Sequence, residues 1–160
     1  MPIQNYQIYT DRGYAGDQCD STSHVTKQTG IIEDATMGFG LAVVPGTGER
    51  GITVGHTAGV VHGITLRELN TEAANKPSDG TAVFKKTDSL TIMQEGFIYV
   101  LVSGVEAAVA GAYLNVDDAT GAFTGGTAGV GETASLNVKA VQGGAPGDVI
   151  KARIDFANPA

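Results

Sequence analysis

The stretch from Asp88 to Thr124 constrains this chain most. Apolar runs alternate with turn residues: Leu90-Thr91-Ile92-Met93, then Gln94-Glu95-Gly96, then Phe97-Ile98-Tyr99-Val100-Leu101-Val102. The spacing predicts strands over 90–93 and 97–102 joined by a turn at 94–96. A small-residue connection leads to a third strand over 113–116. A turn over 117–121 and a strand starting at Ala122-Phe123-Thr124 follow. The run 97–102 is apolar on both faces, which fits either a strand inside a sandwich or one whose second face, with Phe97 and Tyr99, is a core-like subunit interface.

Glycine reinforces the β reading. It supplies 23 of the 160 residues, about twice its ordinary share. Each glycine inside a helix costs about 1 kcal/mol against alanine, whereas tight turns use glycine well. A chain of this length holds one domain with a sizeable core. The single cysteine, Cys19, rules out an internal disulfide framework and suits a reducing compartment.

The net charge is −7 with only 10 Lys and Arg. These basic residues are scattered, and Lys85-Lys86 is the one adjacent pair. A nucleic-acid binder needs a cationic face to displace counterions, so no nucleic-acid partner is expected. The start, Met1 to Tyr6, lacks the cationic and apolar blocks of a signal peptide. The longest apolar stretch, 97–112, is broken by Ser103, Gly104, Glu106 and Gly111, so no membrane partner is expected either.

Residues 1–30 read as an extended N-terminal arm with anchors at Tyr6, Ile8, Tyr9 and Tyr14, and residues 31–160 as a single β domain. The arm packs either on its own domain or on a neighbouring subunit. Residues 37–44 predict a strand with Phe39, Leu41 and Val43 on one face and Gly38, Gly40 and Ala42 on the other. Further strands are expected over 52–54, 60–66, 136–141 and 149–156. Residues 67–75 are the best helix candidate, with a loop equally open. Seven to nine short strands with turn signals about every ten residues indicate an all-β fold: a jelly-roll-like sandwich or small β-barrel.

No constellation carries chemistry. Gly126 to Thr133 has the spacing of a phosphate loop, but Glu132 stands where the lysine must be. His56 and His62 are too far apart for zinc-ligand spacing, and Cys19 is remote. Asp117-Asp118 lacks the later oxygens of a calcium loop and reads as a hairpin turn closed by Gly121. Ser103 is not in a nucleophile elbow, and Glu95 and Glu106 pair only through an unseen fold. No catalytic, metal or cofactor-binding residue is expected, and the chain reads as a surface-contact protein rather than an enzyme.

Six segments, in order, resemble the small cement, or decoration, proteins of tailed-bacteriophage heads. They are Gly13-Tyr14-Ala15-Gly16-Asp17-Gln18-Cys19-Asp20, then 38–44, 59–68, 88–100, 111–124 and the closing 147–156. The resemblance implies a virion protein made in the host cytoplasm and placed on the outer surface of the capsid. It implies a homo-oligomer, dimer or trimer, that bridges neighbouring copies of the major capsid protein and resists the pressure of packaged DNA. It brings no catalytic residue and no cofactor. The rival reading is a phage or cell-surface β-module that binds carbohydrate, although the chain has no Trp to serve as a sugar platform.

Overall fold

The computed structural model describes residues 13–19, 24–67 and 84–157. Among them are eleven strands and no helix: β1 (Thr26–Ile32), β2 (Thr36–Met37), β3 (Ala42–Pro45), β4 (Gly51–Val54), β5 (Gly63–Thr65), β6 (Phe84–Lys85), β7 (Ser89–Ser103), β8 (Tyr113–Asp117), β9 (Phe123–Thr124), β10 (Glu132–Ala140) and β11 (Val149–Asp155).

Hydrogen bonding closes these strands into two small rings that share β7. In the first ring β1 pairs with β4, β4 with β3, β3 with β5, and β7 with both β5 and β1. In the second, β7 pairs with β11, β11 with β10, β10 with β8, β8 with β9, and β9 returns to β7. Closure leaves few open sheet edges. The short β2–β6 ladder stands apart.

The all-β class is therefore the observed one, and the sandwich and barrel alternatives merge in one nine-stranded sheet closed into two rings. Period-two alternation explains how. Along the first ring, Val43 and Ile92 face one hydrophobic cluster with Ile32, Met37, Phe39, Ile52, Phe84 and Leu90. Their chain neighbours Ala42 and Met93, with Ile64, face the other cluster, which fills the second ring. There they meet Ile98, Val100, Leu114, Val116, Phe123, Val138 and Ile154. The outer wall of one ring is thus part of the core of the other. Each fully buried Leu, Ile, Val or Phe contributes about 1.5–3 kcal/mol relative to exposure.

Several expected elements change in the fold. The turn at 94–96 does not form, and 90–102 is one continuous strand. Its backbone is occupied in ladders: Glu95 pairs with Thr26 and Asp155, and Gly96 with Ile154. Gly96 takes φ 135°, which side chains rarely adopt, and it marks where β7 passes from one ring to the other. The expected strand 37–44 is interrupted. Gly40 N–H donates to Thr65 C=O, Leu41 N–H donates to Thr65 Oγ1, and that hydroxyl donates to Gly38 C=O. The buried threonine pulls the chain out of the ladder, yet Phe39, Leu41 and Val43 still share one cluster. Of 60–66 only β5 is ladder, and β10 starts earlier than expected, at Glu132. Among the described residues eleven strands stand against the expected seven to nine, because several ladders are only two or three residues long. The helix candidate 67–75 lies outside the described residues apart from Arg67.

Candidate docking face

The second ring has one side in the core and one side outward, and register fixes which residues point out. Tyr113 on β8 stands beside Lys139 on β10. Lys139 stands beside Arg153 on β11, and Arg153 beside Phe97 on β7. The next row sets Lys151 beside Tyr99, and the next sets Val149 beside Leu101. Their chain neighbours Leu114, Val138, Ala140, Ala152, Ile154, Ile98 and Val100 are all buried, so the rows named form the outer face.

On that face cations sit over rings. Lys139 Nζ lies 4.7 Å from the centre of the Tyr113 ring, and Lys151 Nζ lies 4.7 Å from that of Phe97. Each such pair is worth about 0.5–1 kcal/mol at an exposed site, and it holds the ammonium in a fixed place. Leu101, Tyr113 and Val141 each keep about two fifths of their surface exposed. Among the described residues, the carboxylate paired with the row is Asp155, with its Oδ2 3.6 Å from an Arg153 guanidinium nitrogen. Glu95, its register neighbour, lies 3.4 Å from His24.

Residues 13–19 extend the ladder along the edge of β7, with Gln18 opposite Ile98 in an antiparallel bridge. Gly16 N–H donates to Tyr99 C=O, Tyr99 N–H to Asp17 C=O, and Cys19 N–H to Phe97 C=O. Gly13 lies so close to the Tyr99 ring that any Cβ there would enter it. Arg67, just after β5, fastens the segment. Its N–H donates to Gly16 C=O, its guanidinium lies 4.1 Å from the centre of the Tyr14 ring, and one of its nitrogens is 3.6 Å from Asp17 Oδ1. Beside Gly13 and Tyr14 opens a cleft of ≈ 670 Å³, also lined by Gln142, Asp148, Val149 and Ile150.

Of the six contact residues expected from sequence, the fold brings Tyr14, Phe97 and Tyr99 to this one face. Tyr6, Ile8 and Tyr9 lie outside the described residues. Residues 13–19 pack on their own domain, and the division drawn at residue 30 falls inside β1. Sequence reasoning missed Tyr113, Lys139, Lys151 and Arg153. Its description of the basic residues as scattered holds along the chain but not in space. The available signal was the i, i+2 spacing of Lys151 and Arg153 on a strand.

The groups weighed for chemistry have ordinary structural partners. The Asp117 carboxylate accepts from the N–H groups of Ala119 and Thr120 and from the Thr120 hydroxyl. These bonds hold its pKa below the usual carboxylate value and make it the anchor of the expected turn. Asp118 accepts from Thr133 and faces His56 at 2.7 Å, and the same two bonds lower its pKa. His56 Nδ1 accepts from Gly59 N–H, which leaves Nε2 to donate to Asp118. His62 contacts Gln94 and the Phe156 ring, and burial lowers its pKa. Among the described residues no group of three or more His, Cys, Asp or Glu side chains could hold a metal ion.

Comparison with known proteins identifies the fold and the family. A chain of the capsid of Myoviridae phage XM1 superposes with a TM-score of 0.66 at 14% identity, over 90% of this chain and 91% of that one. The N base of head fiber gp8.5 of bacteriophage phi29 gives 0.49 at 10% identity, over 86% and 99%. No curated protein matches the sequence. The family model described as structural cement protein (E217 gp24/Pam3 gp6) matches residues 2–155. The chain therefore belongs to the structural cement proteins of bacteriophages, and it is a structural component of the virion capsid rather than an enzyme.

Proposed function

We propose that this protein binds the outside of a phage head and bridges adjacent copies of the major capsid protein, so that the shell withstands the pressure of the packaged DNA. The observation that carries this reading is the family match across residues 2–155. The protein acts as a homo-oligomer, dimer or trimer. Linking several weak contacts makes the later ones effectively intramolecular, so modest grips add to firm attachment. The acidic surface, −7 overall, suits a position that engages neither nucleic acid nor membrane.

Within this reading Tyr6, Ile8, Tyr9 and Tyr14 of the arm, with Phe97 and Tyr99, line the interface with the head. Residues 13–19 already pair with β7, so removing residues 1–12 tests the arm without stripping those bonds. The truncated protein should keep its unfolding temperature within a few degrees and lose head attachment. Unchanged attachment overturns the assignment to the arm. The cementing role is tested by heating DNA-filled heads with and without bound protein and following DNA release by dye fluorescence. Heads carrying the protein should release DNA at a higher temperature, and coincident curves overturn the role.

A further inference from the structure

We infer that the outward face of β8, β10, β11 and β7 is the surface that meets the capsid, and that the capsid surface it meets is rich in carboxylates. This rests on the proposed capsid-binding function and deepens it by naming the face and the chemistry of its partner.

The argument begins with where the positive charge goes. The whole chain carries 17 Asp and Glu against 10 Lys and Arg, so an average patch of its surface is acidic. The register row Tyr113–Lys139–Arg153–Phe97, with Lys151 beside it, gathers three cations on adjacent strands. Among the described residues the carboxylate paired with them is Asp155, at 3.6 Å from Arg153. Like charges on neighbouring strands repel, and this arrangement is unfavourable for the isolated molecule unless something compensates. The rings under Lys139 and Lys151 offset part of the repulsion and hold both ammonium groups outward.

The same face carries part-exposed Leu101, Tyr113 and Val141. Aromatic and aliphatic surface with embedded Arg and Lys is the composition of an interface centre that is steered by charge. A second copy presenting the same face would bring three cations against three and is disfavoured. A nucleic acid would meet the remaining acidic surface. A carboxylate patch on a protein, confined to the extent of the row, satisfies the cations without spreading over that acidic surface.

The test uses full-length protein and heads of the parent phage assembled without it. Binding is measured by co-sedimentation at increasing sodium chloride. Wild-type affinity should fall as salt rises, since exposed charge pairs are screened. The variant Lys139→Gln/Lys151→Gln/Arg153→Gln should bind about tenfold or more weakly at low salt, since three exposed charge pairs are lost, and should lose most of the salt dependence. Lys85→Gln/Lys86→Gln, two exposed residues away from this face, should bind as wild type. Far-UV circular dichroism and the unfolding temperature establish that each variant folds. Wild-type protein that fails to bind heads at all counts against capsid binding itself. Wild-type binding that is indifferent to salt, or a folded triple variant that binds undiminished, overturns the inference about the face alone. So does a triple variant that loses self-association in light scattering but still binds heads as a monomer, because the face would then be a contact between copies.

Discussion

Asn137 offers the sharpest test of how the two rings are joined. It is almost fully buried on β10, and its carboxamide faces Val61, a residue with no exposed surface, in the connection that leads into β5. Asn137 Oδ1 accepts from Val61 N–H at 2.9 Å, and Asn137 Nδ2 donates to Val61 C=O at 2.7 Å. The side chain thus closes a two-bond ladder between the rings where no strand does. Asn137→Ala leaves both backbone groups of Val61 buried without partners, at about 1–3 kcal/mol each, so the expected loss is about 2–6 kcal/mol. That is a large part of the 5–15 kcal/mol typical of a domain. At about 2–4 °C per kcal/mol for this size, unfolding should fall by roughly 10 °C. Asn137→Asp discriminates further. The carboxylate still accepts from Val61 N–H but repels Val61 C=O, so this variant should be weak at neutral pH and recover partly in acid, where a protonated carboxyl can donate. The assays are urea unfolding followed by circular dichroism and a thermal melt at several pH values. An alanine variant within 1 kcal/mol of wild type, or an aspartate variant without pH-dependent recovery, refutes the reasoning.

Two other outcomes are expected. Gly121→Ala should cost about 2 kcal/mol or more, because φ is 69° and an added Cβ would lie 2.6 Å from Ala42 C=O; a melt within 2 °C of wild type would contradict the strain. Stability should hold above the ordinary carboxylate range and fall as pH drops through and below about 4. Glu33, Asp117 and Asp118 all have lowered pKa values in the fold, Glu33 chiefly through the N–H groups of Thr47 and Gly48, so acid protonates them in the unfolded chain first. Glu33→Gln should flatten part of that decline in a pH series of melts, and an unchanged slope would contradict its share.

The fold was legible where local pattern and tertiary fold agree. The Asp117–Gly121 turn forms because Asp117 can satisfy the turn from its own side chain, which is a short-range property. The shared face of Phe39, Leu41 and Val43 survives even though the ladder breaks, because burial selects alternate residues whether or not hydrogen bonds follow. The turn at 94–96 failed for the opposite reason. Glu95-Gly96 is a good turn pair in isolation, but partners from β1 and β11, far along the chain, claim its backbone. The clips made by Thr65 and Asn137 had no local signal at all, since Thr65 Oγ1 bonds across 24 and 27 residues and Asn137 across 76. The same holds for the cationic row: Lys139, Lys151 and Arg153 meet Tyr113 and Phe97 only through register.

The sharing of β7 suits this architecture to the proposed cementing role. A cement must transmit load between neighbours without yielding, and two rings joined by a flexible linker would hinge. Here the same strand is a wall of both rings, and Ala42, Ile64 and Met93 of the first ring pack inside the second. Polar clips at Asn137–Val61 and His56–Asp118 tie loops of the first ring to the second at two further places. Residues 13–19 reach both β7 and Arg67, where the rings meet rather than on one of them. If the protein is attached as proposed, a pull on residues 13–19 or on the outward face enters the common strand directly. Yielding there requires opening both cores together, a cooperative event, rather than separating two domains at a weak seam.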